Sequence, residues 1–220
     1  MLGRVQSTSR VAIVRDGNGA RLWTRNRNDI SDRFPDIVTA ARRQLAAGIV
    51  LDGELVVLGA DARLSFDALR QRLVTSPAKA RNRAAQVPAT YAAFDLLALG
   101  GVDLRTQRWT ARRQRLEQLA RSWMPPMQLT PVTADLDEAR EWFEVLPEAM
   151  GVEGLMVKGA ATRYTPGRGT DRGKSVRFLA GTRARRGGPW RSGAGVSVSR
   201  WPPLNLRWDL ERDHDLRLWF

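Results

Sequence analysis

Two glutamates stand where apolar, strand-like runs are interrupted: Glu54 in Ile49-Val50-Leu51-Asp52-Gly53-Glu54-Leu55-Val56-Val57-Leu58, and Glu153 in Gly151-Val152-Glu153-Gly154-Leu155-Met156-Val157-Lys158. A carboxylate on a rigid strand can accept a ribose hydroxyl or hold a divalent metal beside phosphates, and the Lys158 ammonium would suit a phosphate. Between them lies Tyr91-Ala92-Ala93-Phe94-Asp95-Leu96-Leu97, where Phe94 offers a flat face to a base. Plainer readings compete. Asp52-Gly53 is a common turn signal with Glu54 as a solvated turn carboxylate, and this segment alone favours that reading. A strand phenylalanine is more often ordinary core.

Composition narrows the chemistry. The 220 residues carry a formal charge of +13 with a pI near 11.4, which points to a polyanionic partner, nucleic acid first. Arginine richness that only keeps the chain soluble is the alternative. The chain has no cysteine and one histidine, His214, which disfavours disulfides, thiolate metal sites and serine–histidine relays. It shows neither a bilayer-length apolar segment nor a signal-peptide pattern, so a cytoplasmic location is expected.

The positioning elements read as a mixed α+β chain. Val11 to Arg15 and Ala20 to Arg25 are short strands around Asp16-Gly17-Asn18-Gly19, a hairpin signal. Ser31 to Leu45 carries Phe34, Ile37, Val38, Ala41 and Leu45 on one helical stripe. A helix following Leu64 should bury Phe66, Leu69 and Leu73, and Ser76-Pro77 should start a short arginine-rich helix whose charged face is solvated. Thr90 to Leu97 is a strand. Thr110 to Trp123 is a helix burying Leu116, Leu119 and Trp123 with its arginines in water. Met127 to Val132 suits another strand, and Asp135 with Glu138 opens a helix carrying Ala139, Trp142, Phe143 and Leu146.

The three interrupted or aromatic strands together resemble the nucleotidyltransferase (adenylation) domain of ATP-dependent DNA ligases of the bacterial repair type. Phe94-Asp95 is similar to the family's Phe-Asp, Trp23-Thr24-Arg25-Asn26 to an element whose arginine meets the ribose, and Tyr164-Thr165-Pro166-Gly167-Arg168 to the family's Tyr-x-Pro-Gly-Arg. The resemblance implies two antiparallel sheets flanked by helices, an ATP-grasp-like arrangement with ATP between them. It implies ATP contacts at Arg10, Arg25, Glu54, Phe94, Lys158 and Lys174, and metal contacts for Mg2+ at Glu54 and Glu153. It also implies nicked duplex DNA as partner, a monomer, and a role in DNA repair and recombination.

Two departures stand out. The family's Lys-x-Asp-Gly-x-Arg motif supplies the lysine that attacks the α-phosphate of ATP; if Arg10 is its arginine, the lysine position is Val5, with Ser7 and Thr8 in place of Asp-Gly. The chain's lysines are Lys79, Lys158 and Lys174, and arginine is a poor substitute nucleophile. After Arg168, the family's Trp-x-Lys-x-Lys is replaced by Arg172-Gly173-Lys174-Ser175-Val176-Arg177, leaving Lys174 and, more weakly, Arg177 for phosphate charge.

The expected organisation is an irregular start over 1–9, the ligase-like domain over 10–182 and an irregular basic tail over 183–220. The tail is read as frameshifted translation in preference to a single-strand-binding extension, and as too short for the oligonucleotide-binding barrel that follows in the family. Three functions follow: an incomplete ligase catalytic domain unable to self-adenylate, an RNA ligase or capping-type nucleotidyltransferase, or a non-catalytic nucleotide- or DNA-binding remnant.

Overall fold

The structure, a computed structural model, describes residues 10–152, 154–164, 173–177 and 216–219, the last two segments as backbone strands only. It divides into two units, 1–130 and 131–220.

The first unit is built on a sheet in the order β2-β1-β3-β4-β5, with β6 also pairing with β4. Its strands are β1 (Arg10–Asp16), β2 (Gly19–Thr24), β3 (Ile49–Val57), β4 (Ala89–Leu99), β5 (Val102–Asp103) and β6 (Met127–Leu129). All these pairings are antiparallel except β4 with β6, which departs from the expected purely antiparallel sheet. The β1–β2 hairpin forms where Asp-Gly-Asn-Gly predicts it. Asp16 Oδ1 closes the turn by accepting from the Asn18 and Gly19 amides at 2.9 and 3.0 Å.

One sheet face is apolar because the strands alternate. Val11, Ile13, Leu22, Leu51, Leu55, Tyr91 and Ala93 are buried there. Three helices contribute to covering the unit: α1 (Pro35–Gln44), entered through the short turn Ser31–Arg33, α2 (Phe66–Val74) and α3 (Pro77–Gln86). The predicted stripe of α1 holds, with Phe34, Ile37, Ala41 and Leu45 buried and Val38 packed against them. On α2, Leu69 is buried and Leu73 packs on the core, but Phe66 is 38% exposed. The residue that goes inside instead is Arg72, fully buried. Its guanidinium donates to Asp36 at 2.7 and 3.1 Å, to Val87 O at 2.7 Å and to Arg33 O at 3.0 Å, and lies 4.7 Å from the Phe34 ring. One side chain thereby joins three helices.

A second correction concerns α4 (Trp109–Ala120). Its arginines were expected in water, yet Arg112 and Arg113 are 2% and 6% exposed. Arg112 is drawn in by Asp95, itself 0% exposed, through bonds of 2.8 and 2.9 Å to both carboxylate oxygens. Arg113 donates to Glu117 Oε1 at 2.7 Å and to Thr130 O at 2.9 Å. A buried charge is tolerated when an opposite charge and hydrogen bonds compensate its lost hydration.

In the second unit, β7 (Val132–Thr133), β8 (Gly154–Gly159), β9 (Gly173–Arg177) and β10 (Leu216–Trp219) form a sheet in the order β7-β10-β8-β9. The single strand expected over Met127 to Val132 is therefore two short ones, broken around Pro131, which has no amide hydrogen to donate. The helix α5 (Leu136–Met150) starts as predicted, Asp135 Oδ1 accepting from the Asp137 and Glu138 amides at 2.7 and 3.1 Å. Ala139 is buried, while Trp142, Phe143 and Leu146 are half-buried. Leu216–Trp219 pairs with β7 and β8, so the tail expected to be irregular contains a strand. No helix among the described residues is long and apolar enough to cross a membrane.

Candidate functional site

The Asp52-Gly53-Glu54 interruption is not a turn. All three residues lie inside β3, which runs unbroken from Ile49 to Val57. Because side chains alternate along a strand, Asp52 and Glu54 share one face and Gly53 faces the other. Register then decides what meets them: Glu54 is opposite Arg10 and Asp52 opposite Ala12 on β1, and Glu54 is opposite Ala92 on β4.

Gly53 has a steric reason. A Cβ there would lie 2.6 Å from Ala92 O and 2.6 and 2.7 Å from Cζ and Oη of Tyr91. The Tyr91 ring passes over the glycine on the apolar face, and its hydroxyl donates to Val11 O at 3.0 Å. The glycine that resembled a turn signal is the gap through which an aromatic ring crosses the strand.

The opposite face is polar. Arg10 Nε and Nη2 donate to Asp52 Oδ1 and Oδ2 at 3.0 and 2.5 Å, a two-pronged pair in which the aspartate side chain is 4% exposed and the arginine 41%. The same guanidinium lies over the Phe94 ring, 5.3 Å from its centroid. Phe94 reaches this face through an irregularity in β4. Asp52 pairs with Asp95 while Gly53 pairs with Ala93, so Phe94 is the extra residue of a bulge. The bulge turns a buried phenylalanine toward Arg10 and lets the next residue, Asp95, serve the buried pair with Arg112.

The charges of this face reach the core beneath it. Burial is the main reason the Tyr91 hydroxyl is held well above its ordinary pKa, followed by the negative charge of Asp52, with a smaller contribution from Glu54. The Ile13 backbone and the Arg10 charge oppose the shift.

Of the residues singled out from sequence, Arg10, Glu54 and Phe94 gather on one sheet face. Arg25 follows Thr24, the register partner of Val11, and so sits at the same end of the sheet as Arg10, exposed in the turn after β2. Lys158 is half-buried in β8 of the second unit, opposite Gly173 and Arg217. Lys174 belongs to β9 opposite Val157. Glu153, the Val5 position and the segment from Thr165 to Arg172 lie outside the described residues. Sequence reading passed over Asp52 as a site residue, although its separation by two from Glu54 on a strand was the signal that both carboxylates share a face.

An aromatic ring and a carboxylate braced by an Arg–Asp pair suit an adenosine: stacking for the base and an acceptor for a ribose hydroxyl. For magnesium, Asp52 is paired with Arg10, and Glu54 is the next carboxylate along β3 on the same face. Magnesium at phosphates commonly takes only one or two protein carboxylates and keeps its waters, so the donor set fits. No group of three or more His, Cys, Asp or Glu residues is placed to cage a metal among the described residues.

Comparison with known proteins places the chain in a family. A family model described as ATP dependent DNA ligase domain matches residues 8–175. The chain is 38% identical over 157 residues to DNA ligase C2 of Mycolicibacterium smegmatis and 34% identical over 161 residues to DNA ligase C of Mycobacterium tuberculosis, in each case 71% of this chain and 44% of the relative. Among solved structures it is similar to the ligase domain of M. tuberculosis LigD, with a TM-score of 0.59 and 27% identity over 76% of this chain and 50% of that one. It is also similar to a mycobacterial DNA ligase D complexed with ATP and MES, with a TM-score of 0.56 and 28% identity over 74% of this chain and 49% of that one. The chain thus spans about half the length of the relatives it matches.

Proposed function

This chain belongs to the ATP-dependent DNA ligase domain family, and on that premise we propose that it carries the ATP-binding face of such a ligase but does not itself form a covalent adenylate. The observation that carries the reading is the position of Arg10, paired with Asp52, over the Phe94 ring and opposite Glu54 in the sheet register. Adenine would stack on Phe94, Glu54 and Arg25 would meet the ribose, and Arg10 would hold the face together electrostatically. Lys158 and Lys174 would add positive charge for the phosphates, and Glu54 with Glu153 would hold Mg2+. The finer architecture proposed is ATP-grasp-like.

In a complete ligase of this kind, a lysine attacks the α-phosphate of ATP. AMP then passes to a 5′-phosphate at a nick, and the 3′-hydroxyl displaces it. Val5 at the lysine position has no nucleophilic nitrogen. In the first unit the described lysine is Lys79, exposed on α3, an element that packs against α1 and α2. These observations favour a nucleotide- and DNA-binding protein that keeps the cradle without the attacking group. Nicked DNA, in repair or recombination, is the proposed polynucleotide, and a cytoplasmic monomer the proposed form.

The test is incubation with α-labelled ATP and magnesium, read in two ways. Equilibrium dialysis should retain label on the folded chain, and denaturing electrophoresis should release it. A label that survives denaturation would overturn the non-adenylating reading. Failure to retain ATP under native conditions would overturn the nucleotide site.

A further inference from the structure

The polar sheet face extends beyond the nucleotide-binding groups to the edge strand β2. Arg21 and Trp23 are the register partners of Val14 and Ala12, which alternate with the buried Val11 and Ile13, so both lie on the face of Arg10, Asp52 and Glu54. The strand then enters a tight loop closed by three bonds: Thr24 N to Asn28 O at 3.0 Å, Arg27 N to Thr24 O at 2.9 Å and Asn28 N to Thr24 Oγ1 at 3.1 Å. At the tip, Arg27 is exposed and holds a left-handed backbone, φ 62°. A side chain other than glycine or asparagine is disfavoured there.

This edge and its loop carry Arg21, Arg25 and Arg27. No acidic residue occurs from Gly17 to Asn28. The flanking carboxylates shape the backbone on either side, Asp16 closing its own turn and Asp29 accepting from the Ser31 amide and hydroxyl at 2.9 and 2.5 Å. Among the described residues, neither Arg21 nor Arg27 forms an ion pair. A hydrogen-bonded loop that holds an arginine in a glycine conformation, at the rim of the face proposed for nucleotide, keeps a guanidinium there at a cost in backbone energy.

We propose that Arg27, with Arg21 behind it on the same edge, is a polynucleotide-phosphate contact that holds the DNA backbone against the nucleotide-bearing face. The proposal rests on the DNA-binding reading above and adds the residues that carry it. Both arginines contact phosphate, so they position the strand and do not read its bases.

The experiment compares the full chain with R27G, R27N and R43Q in binding a fluorescent nicked duplex across a salt series. Gly and Asn both accept the left-handed backbone, so the loop keeps its shape while the charge is lost. Arg43 is an exposed residue in the last turn of α1 and serves as the charge control. R27G and R27N should each bind several-fold more weakly and lower the slope of log affinity against log salt by about one, while R43Q changes neither. R27G should melt no lower than wild type. Wild-type affinity in R27N, or an equal loss in R43Q, would overturn the proposal while leaving the nucleotide-site reading intact. A wild-type chain that binds no nicked duplex would overturn this contact and the DNA-binding reading together, whereas retention of ATP would still support the nucleotide face.

Discussion

Tyr91 crosses strand β3 at Gly53: the phenol ring lies against the glycine, and its hydroxyl reaches Val11 O on the next strand at 3.0 Å. This contact ties β4 to β1 across β3 on the apolar face. On the other face, Asp52 and Glu54 are left to meet Arg10. The order Asp-Gly-Glu thus serves two faces at once, packing through its middle residue and a polar face through its ends.

Gly53→Ala should be strongly destabilising for so small a change. The new methyl would lie 2.6 Å from a backbone carbonyl oxygen, which cannot swing away like a side-chain tip. Overpacking of this kind costs about 1–3 kcal/mol, visible as a lower urea midpoint at unchanged slope. Tyr91→Ala in the same chain should make the glycine substitution less harmful, so the pair should be non-additive. Full additivity would remove the crossing as the reason for the glycine.

Alkaline pH should unfold the protein through Tyr91. Its folded pKa is raised well above the ordinary 10.0, so above that value the unfolded chain releases a proton that the folded chain retains. The unfolded state then binds fewer protons, and stability falls as pH rises. The contribution is whole below the unfolded pKa and is lost on the way up to the folded one. Tyr91→Phe should flatten this alkaline limb while costing about 1 kcal/mol at neutral pH for the lost bond to Val11. With two tyrosines in the chain, tyrosinate absorbance can follow the transition, one ring ionising only as the fold opens.

The Asp95–Arg112 pair should tolerate loss of both partners better than loss of either. Asp95→Asn leaves a guanidinium, 2% exposed, without its counter-charge and should cost about 3–5 kcal/mol by denaturant titration. Arg112→Lys should rescue little, because an ammonium cannot span both carboxylate oxygens in the guanidinium's planar geometry. The double change Asp95→Leu with Arg112→Met should be more stable than Asp95→Asn alone. Equal loss in all three would point to packing instead of charge.

Phe94→Ala and Glu54→Gln should separate nucleotide affinity from stability. Removing the ring takes away the surface proposed for adenine, about 1–3 kcal/mol by the usual value of base stacking, or roughly ten- to hundredfold in affinity. It also opens a cavity, so melting temperature should fall in parallel. Glu54→Gln keeps the shape of a half-buried side chain and should weaken ATP binding without a comparable loss of melting temperature. If calorimetry gave unchanged ATP affinity for Glu54→Gln, the carboxylate would have no part in the site.

The sequence by itself determined the periodic elements: the β1–β2 hairpin from Asp-Gly-Asn-Gly, the α1 stripe and the Asp135 cap. It also carried enough ordered motifs to resemble a ligase domain, because alternation, turn chemistry and capping act between near neighbours. Tertiary structure alone decided the meaning of Gly53, since the ring that needs the gap is on another strand. It also decided which arginines go inside: Arg72 and Arg112 look like the exposed Arg70 and Arg108 until Asp36 and Asp95 are brought within 3 Å. Burial of a charge depends on a partner distant in the chain, and so does the bulge that sets Phe94 beneath Arg10.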